Sequence, residues 1–302
     1  MRAIVNDACR RGGCRRTGAL TALAAVYRGD GPPCAREQLA GIPALVARPP
    51  SGAGPTVVYV NAATPLGVEQ PSVRRFLGGL ARAGFVAVAP ELPCTRDGEM
   101  TPLTVEALVA VAEAAGRRVA LVGLSTGAGL SILAAADERL AQSIVGVAAI
   151  APFASLKNVI RLATTGFYAD RPYTAAPLVA QAAARSLSAC APDDRGVAEL
   201  LANRDPRRFD ALYAQLEPTT RALVRELSPA THIARVLAPL ELATGPDDSF
   251  FPIGESQLLA RVGRDVSLTV TGALEHVRPR PRPGLVFLLG LLRRTLARLA
   301  AA

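Results

Sequence analysis

Arg118-Val119-Ala120-Leu121-Val122-Gly123-Leu124-Ser125-Thr126-Gly127-Ala128-Gly129-Leu130-Ser131-Ile132-Leu133-Ala134-Ala135-Ala136 reads as a buried strand, a sharp turn and a helix. The short apolar run with its two valines predicts the strand. Small residues with Leu and Ile, continuing past the last glycine, predict the helix. Between them sits Gly123-x-Ser125-x-Gly127. A serine whose hydroxyl must project from the top of a sheet has to sit on a strained strand-to-helix turn. That turn leaves no room for a Cβ two positions before or after it, and glycine at 123 and 127 supplies the room. A helix beginning at Thr126 would aim its N-terminal N–H groups at negative charge developing beside the serine. The same spacing also occurs as a plain tight turn in parallel α/β proteins; here the apolar run before it and the Ala-rich run after it favour an exposed nucleophile.

Outward from this stretch, strand-like and helix-like segments alternate. Strands are expected at 41–49, 56–61, 85–89, 118–124, 143–150, 239–244 and 265–270, and helices at 72–83, 104–115, 255–262 and 285–299. Such alternation predicts a mainly parallel central sheet flanked by helices on both faces. The prolines at 43 and 49 suggest that the strand at 41–49 is an edge. From about 153 to 229 no strand-like run appears, and segments such as 178–187 and 197–201 read as helices separated by Pro, Asp and Arg clusters. That length is too great for a loop, so it is expected to be a helical cap insertion. The expected organisation is a poorly defined leader at 1–38, a core at 39–152 and 230–302, and a cap at 153–229.

The chain has 302 residues, half of them hydrophobic, enough for one large core. No apolar run approaches the ~18 residues of a membrane span. The net charge of +9 comes from arginine, with Lys157 the only lysine. The arginines are scattered and aromatics few, so nucleic-acid binding is not expected, while weak association with anionic membranes is. Cys9, Cys14, Cys34, Cys94 and Cys190 are odd in number and lack metal-ligand or disulfide spacing, which points to a reduced, cytoplasmic protein with no metal and no cofactor. Arg10, Arg11, Arg15 and Arg16 ahead of the apolar run 19–26 have the outline of an export leader, although the run is short and Tyr27-Arg28-Gly29-Asp30 is a poor cleavage site. The helix at 285–299 could lie on a membrane through Arg293 and Arg294; packing of its leucine face on the sheet is the expectation adopted.

The order of these motifs resembles that of the α/β-hydrolase-fold serine hydrolases, over roughly residues 40–300. In that family the chain order is Ser, then Asp or Glu, then His, which implies Ser125, Asp248 and His276. Gly245-Pro246-Asp247-Asp248-Ser249-Phe250-Phe251-Pro252 resembles the family's Gly-x-x-Asp-x-x-x-Pro turn, and Asp248, rather than Asp247, has its spacing. His276 lies just past a strand end. The only other histidine, His232, precedes the acid-bearing strand and is expected to be structural. The resemblance implies an oxyanion site built from the backbone N–H groups of Thr126 and Ala63. The family often has His-Gly where this chain has Asn61-Ala62, and alanine cannot adopt every conformation open to glycine. What is implied is a cofactor-independent hydrolase of small-molecule esters or acyl compounds working through an acyl-serine. A peptidase or acyltransferase would use the same three residues, and a non-catalytic binding or membrane-peripheral protein could keep the fold. Phe167, Tyr168, Tyr173, Phe209 and Tyr213 hold a large share of the aromatics, and some of them are expected to line an acyl pocket.

Overall fold

The computed structural model describes residues 31–301 apart from Cys94, Pro281 and Pro283. The arginine-flanked apolar run at 19–26 lies outside the described residues. Strands β1 (Ala35–Leu39), β2 (Ile42–Ala47), β3 (Thr56–Val60), β4 (Val86–Pro90), β5 (Val119–Leu124) and β6 (Ile144–Ile150) precede a short hairpin, β7 (Phe167–Tyr168) with β8 (Arg171–Pro172). Strands β9 (Leu240–Thr244) and β10 (Val266–Val270) follow, then the pair β11 (Leu274–Glu275) and β12 (Arg278–Pro279). The eight-stranded sheet runs β1-β2-β4-β3-β5-β6-β9-β10. Its β1/β2 and β2/β4 pairs are antiparallel and the rest parallel. A parallel strand covered on both faces has no polar side to show, which is why β5 is buried from Val119 through Val122.

β2 is not the edge that its prolines suggested, because β1 pairs along it. Pro43 is tolerated where it stands: it is the second residue of its strand, directly after the Ala40-Gly41 turn, and its carbonyl still accepts from the Glu91 N–H. The interior of the segment between β6 and β9 likewise holds one pair of two-residue strands, β7 and β8, that its sequence did not suggest.

Helices α1 (Pro71–Arg82), α2 (Pro102–Ala114) and α3 (Thr126–Ala135) connect the parallel strands. Proline at the first position of α1 and α2 loses no helical hydrogen bond there. In α2 the Thr101 side chain accepts from the Thr104 N–H, and the Thr104 hydroxyl accepts from the Thr101 N–H. Beyond β6 come α4 (Leu156–Thr165), α5 (Pro177–Cys190), α6 (Arg195–Ala202), α7 (Phe209–Gln215) and α8 (Pro218–Glu226), then the short turn α9 (Pro229–His232). Helices α10 (Ile253–Val262) and α11 (Leu285–Ala301) complete the chain.

Side chains alternate across each strand and feed two apolar layers. Val58, Val60, Leu121, Val147 and Leu242 pack with α2, α3 and the α4–α8 segment. Val57, Tyr59, Ala87, Val122 and Ala148 pack with Val73, Leu77 and Leu80 of α1 and Leu291, Leu292, Leu296 and Leu299 of α11. The last helix therefore lies on the sheet. Glu241, fully buried on β9, fastens it: its carboxylate accepts from Arg294 at 2.9 and 2.7 Å and from Arg298 at 3.1 Å. No helix among the described residues is long and apolar enough to cross a membrane.

Candidate active site

Ser125 stands between β5 and α3 at φ 54°, ψ −119°, a left-handed conformation rare for a residue with a side chain. Its surroundings explain the glycines on either side. A Cβ on Gly123 would come within 2.3 Å of the Gly127 carbonyl oxygen, and one on Gly127 within 2.4 Å of the Val60 oxygen. Both positions are closed to any side chain. The strained turn is held by the Ser125 N–H donating to Ile150 O at 2.8 Å and by the Ala128 N–H donating to Ser125 O at 2.9 Å. Strain of this kind persists only where the surroundings enforce it.

His276 also has positive φ, 50°, at the tip of the hairpin made by β11 and β12. Its Nε2 lies 2.8 Å from Ser125 Oγ, and its Nδ1 lies 3.0 and 2.9 Å from the two carboxylate oxygens of Asp248. Asp248 is buried, and its Oδ1 accepts further from the Phe250 and Phe251 N–H groups at 2.7 and 3.0 Å. The neighbouring Asp247 is exposed. A Cβ on Gly245 would meet the Leu274 carbonyl at 2.4 Å, so glycine there lets the acid-bearing turn close against the histidine hairpin. The imidazole is clamped by two rings: Phe250 stacks on it with centroids 4.0 Å apart, and Phe251 meets it edge-on at 5.8 Å. Neither phenylalanine stood out in the sequence. Their position in the acid turn, beside Asp248, is the signal that could have identified them.

Thr126 opens α3, placing its backbone N–H at the positive end of a buried helix. The loop from Asn61 to Leu66 runs beside it, and Asn61, Ala63 and Thr126 all line the cavity at Ser125. Substitution of glycine by alanine in this loop carries no backbone strain, because neither Ala62 nor Ala63 has positive φ; the left-handed residue is Gly67, at φ 52°. The Asn61 side chain spans the loop. Its amide donates to Gly67 O at 2.9 Å and its Oδ1 accepts from the Tyr59 hydroxyl at 3.2 Å.

The cavity holds about 940 Å³ and is walled mainly by apolar side chains. None of Phe167, Tyr168, Tyr173, Phe209 and Tyr213 lines it, contrary to the expectation from their abundance. Phe209 and Tyr213 stack on each other 6.1 Å apart, with Arg161 over the first and Lys157 over the second. They serve the packing of the helical segment, and the aromatic walls of the cavity are instead Tyr59, Phe76, Phe153, Phe250 and Phe251. His232 lies outside the cavity, with Nε2 2.9 Å from the Glu226 carbonyl oxygen and Nδ1 against Arg235. Burial, then the Arg235 charge, lowers its pKa from the ordinary histidine value. Among the described residues no cluster of His, Cys, Asp or Glu could hold a metal ion.

A mostly parallel eight-stranded sheet flanked by helices is shared with solved structures. The fold is that of the α/β hydrolases. A hormone-sensitive lipase from a metagenome library matches with a TM-score of 0.58 at 15% identity, covering 95% of this chain and 92% of that one. Est1E from Butyrivibrio proteoclasticus matches at 0.57 and 13% identity, over 89% of this chain and 100% of that one. Dipeptidyl peptidase 4 of Porphyromonas gingivalis matches at 0.56 and 12% identity, over 88% of this chain. The chain spans only 35% to 40% of the length of that peptidase and of two other peptidases it matches. No protein-family model and no curated protein matches the sequence.

Proposed function

We propose that this chain is a serine hydrolase that cleaves carboxylic esters through an acyl-serine intermediate. The observation that carries the reading is the continuous hydrogen-bond chain from Asp248 through His276 to Ser125, buried at the wall of an apolar cavity. A carboxylate can only accept, so the Nδ1 facing Asp248 carries the proton and Nε2 is left as the acceptor for the serine hydroxyl. Serine is a weak nucleophile until that happens.

The steps follow from this polarity. Ser125 Oγ attacks the ester carbonyl as His276 Nε2 takes its proton, and the carbonyl oxygen becomes an oxyanion facing the N–H groups of Thr126 and Ala63. The carbon–oxygen bond to the alcohol then breaks while Nε2 returns the proton to the leaving oxygen. Water, deprotonated by the same histidine, attacks the acyl-serine and releases the acid and Ser125. Asp248 keeps the imidazole in the productive tautomer throughout. Residues 153–229 serve as the cap, since α4 and α5 contribute Leu156, Val159 and Val179 to the cavity wall; an apolar acyl chain suits those walls.

A panel of p-nitrophenyl esters of increasing acyl length, run beside peptide p-nitroanilides, tests the reading. Esters are turned over by the wild-type chain and not by Ser125→Ala. Cleavage of the anilides alone would make the chain a peptidase. A folded protein that turns over neither would be a binding module on a hydrolase fold.

A further inference from the structure

The cavity at Ser125 touches both faces of the sheet. On one face Phe153, Leu156, Val159 and Val179 wall it; on the other Tyr59, Val122, Leu124 and Ile150 do, opposite Leu291 and Leu292 of α11. Tyr59, Val122 and Ile150 lie on the strand face that packs against α1 and α11, so the cavity crosses the carboxyl ends of β3, β5 and β6 and continues between sheet and helix. Leu291 is only 1% exposed and packs in one cluster with Tyr59 and Val122, so it closes the inner end of this second arm, which runs out from there toward the start of α1 and the hairpin.

Granted the acyl-serine reading above, proton transfer decides which half of the substrate enters each arm. The leaving oxygen must receive its proton from His276 Nε2, so the leaving group lies on the histidine's side of Ser125. His276 sits at the tip of the β11–β12 hairpin, and the residues around it, Leu274, Val277, Arg278 and Pro279, line the cavity together with Leu288 and Leu289 of α11. The acyl chain is left the arm beneath α4 and α5.

Where lining residues are also exposed, the second arm opens to solvent. On the side of α1 and the hairpin these are Ser72 and Arg75 at the start of α1 and Glu275, Arg278 and Pro279 on the hairpin. Glu275 is already ion-paired with Arg280. Arg75 has no hydrogen-bond or ion-pair partner among the described residues. The opening therefore carries two guanidinium groups against one engaged carboxylate, at the end of an apolar passage.

We propose that the second arm takes the leaving group, and that this group is an extended apolar chain ending in an anion, a carboxylate or phosphate met by Arg75 and Arg278. The substrate class is thus an ester of a long alcohol whose far end is negatively charged. Three butanoyl esters probe it: those of n-octanol, of omega-hydroxyoctanoate and of the monophosphate of octanediol, with methyl butanoate as the short reference. At low ionic strength kcat/KM for at least one anionic ester exceeds that for the octyl ester by about fivefold, a size in keeping with partly exposed charge pairs. The better of the two identifies the anion. In Arg75→Gln that ratio falls toward one, and salt lowers it in the wild type. Leu288→Trp, which narrows the arm, lowers turnover of all three octyl-length esters relative to methyl butanoate and leaves acyl-length preference in place. Equal rates for octyl and anionic esters, or a preference that survives Arg75→Gln, would overturn the anionic end. A Leu288→Trp enzyme altered in acyl length instead would overturn the assignment of the arms. Absence of turnover of all four esters by the folded wild type would sink the ester reading itself, and the arm assignment with it.

Discussion

Asp247 and Asp248 are adjacent carboxylates on one turn, and the side chains of successive residues diverge enough that only Asp248 meets the imidazole. Asp248→Asn should lower turnover by roughly 10⁴, because an amide stabilises the wrong histidine tautomer, with the melting temperature little changed. Asp247→Asn should alter turnover only modestly; parallel kinetics and thermal melts on the two variants check the ranking. Asn61 invites a second substitution. Its side chain spans the loop that carries Ala63, so Asn61→Ala should reduce kcat between about ten- and a hundredfold through misplacement of that loop. Because the Asn61 side-chain amide and oxygen are both engaged within the protein, by Gly67 O and the Tyr59 hydroxyl, KM should move much less. At this scale Ser125 stood out in the sequence because the glycine spacing around it has a steric reason, whereas Asp248 and His276 were implied by the chain order and turn pattern of the family that the sequence resembles. Gly123, Gly127 and Gly245 occupy positions where a Cβ would strike backbone oxygen. Phe250, Phe251 and the Asn61 span were not legible, since contacts of a side chain with a distant ring or carbonyl leave no periodic trace.

Among the elements, the β5–turn–α3 unit follows directly from its sequence, while the helices between β6 and β9 depend on contacts that are remote in sequence. Asp194 is the clearest of these. It is buried, precedes α6, and accepts from the Gly196 N–H at 2.9 Å and the Glu217 N–H at 2.8 Å, so it joins α6 to the start of α8. Desolvation pushes its carboxyl up, but hydrogen bonds from the Thr220 side chain and from the Glu217 and Gly196 N–H groups outweigh this and hold it below its ordinary value. A carboxyl depressed in the folded state contributes stability above the unfolded pKa, about 3.9 for Asp, and loses it as pH falls through the lower folded value. Asp194→Asn should therefore cost about 1 to 2 kcal/mol at neutral pH, and less below about pH 4. Denaturant melts of both proteins at the two pH values measure the difference. The aromatic residues of this segment show the limit of composition as a guide. Phe209 and Tyr213 are drawn together by stacking and by Arg161 and Lys157 above them, and they pack the segment without reaching the cavity.

At the scale of the whole molecule, alternation of strands and helices was enough to reveal a parallel sheet with two covered faces, because burial on both sides writes continuous apolar runs into the chain. The first strand was not legible: β1, AREQL, has one side toward solvent and no apolar run, and it is defined only by its pairing with β2. Nor does any local pattern foretell that one cavity crosses the sheet's carboxyl edge, since its walls come from β3, β5, β6, α1, α5, α11 and the histidine hairpin at once. On the proposed reading, this assembly makes Ser125 a nucleophile. Intact-mass measurement after exposure to a fluorophosphonate, followed by peptide mapping, tests it most directly. A single covalent adduct on Ser125 is expected, absent from Ser125→Ala and formed orders of magnitude more slowly in Asp248→Asn. A folded wild-type chain that stays unlabelled, or one labelled at another residue, would contradict it.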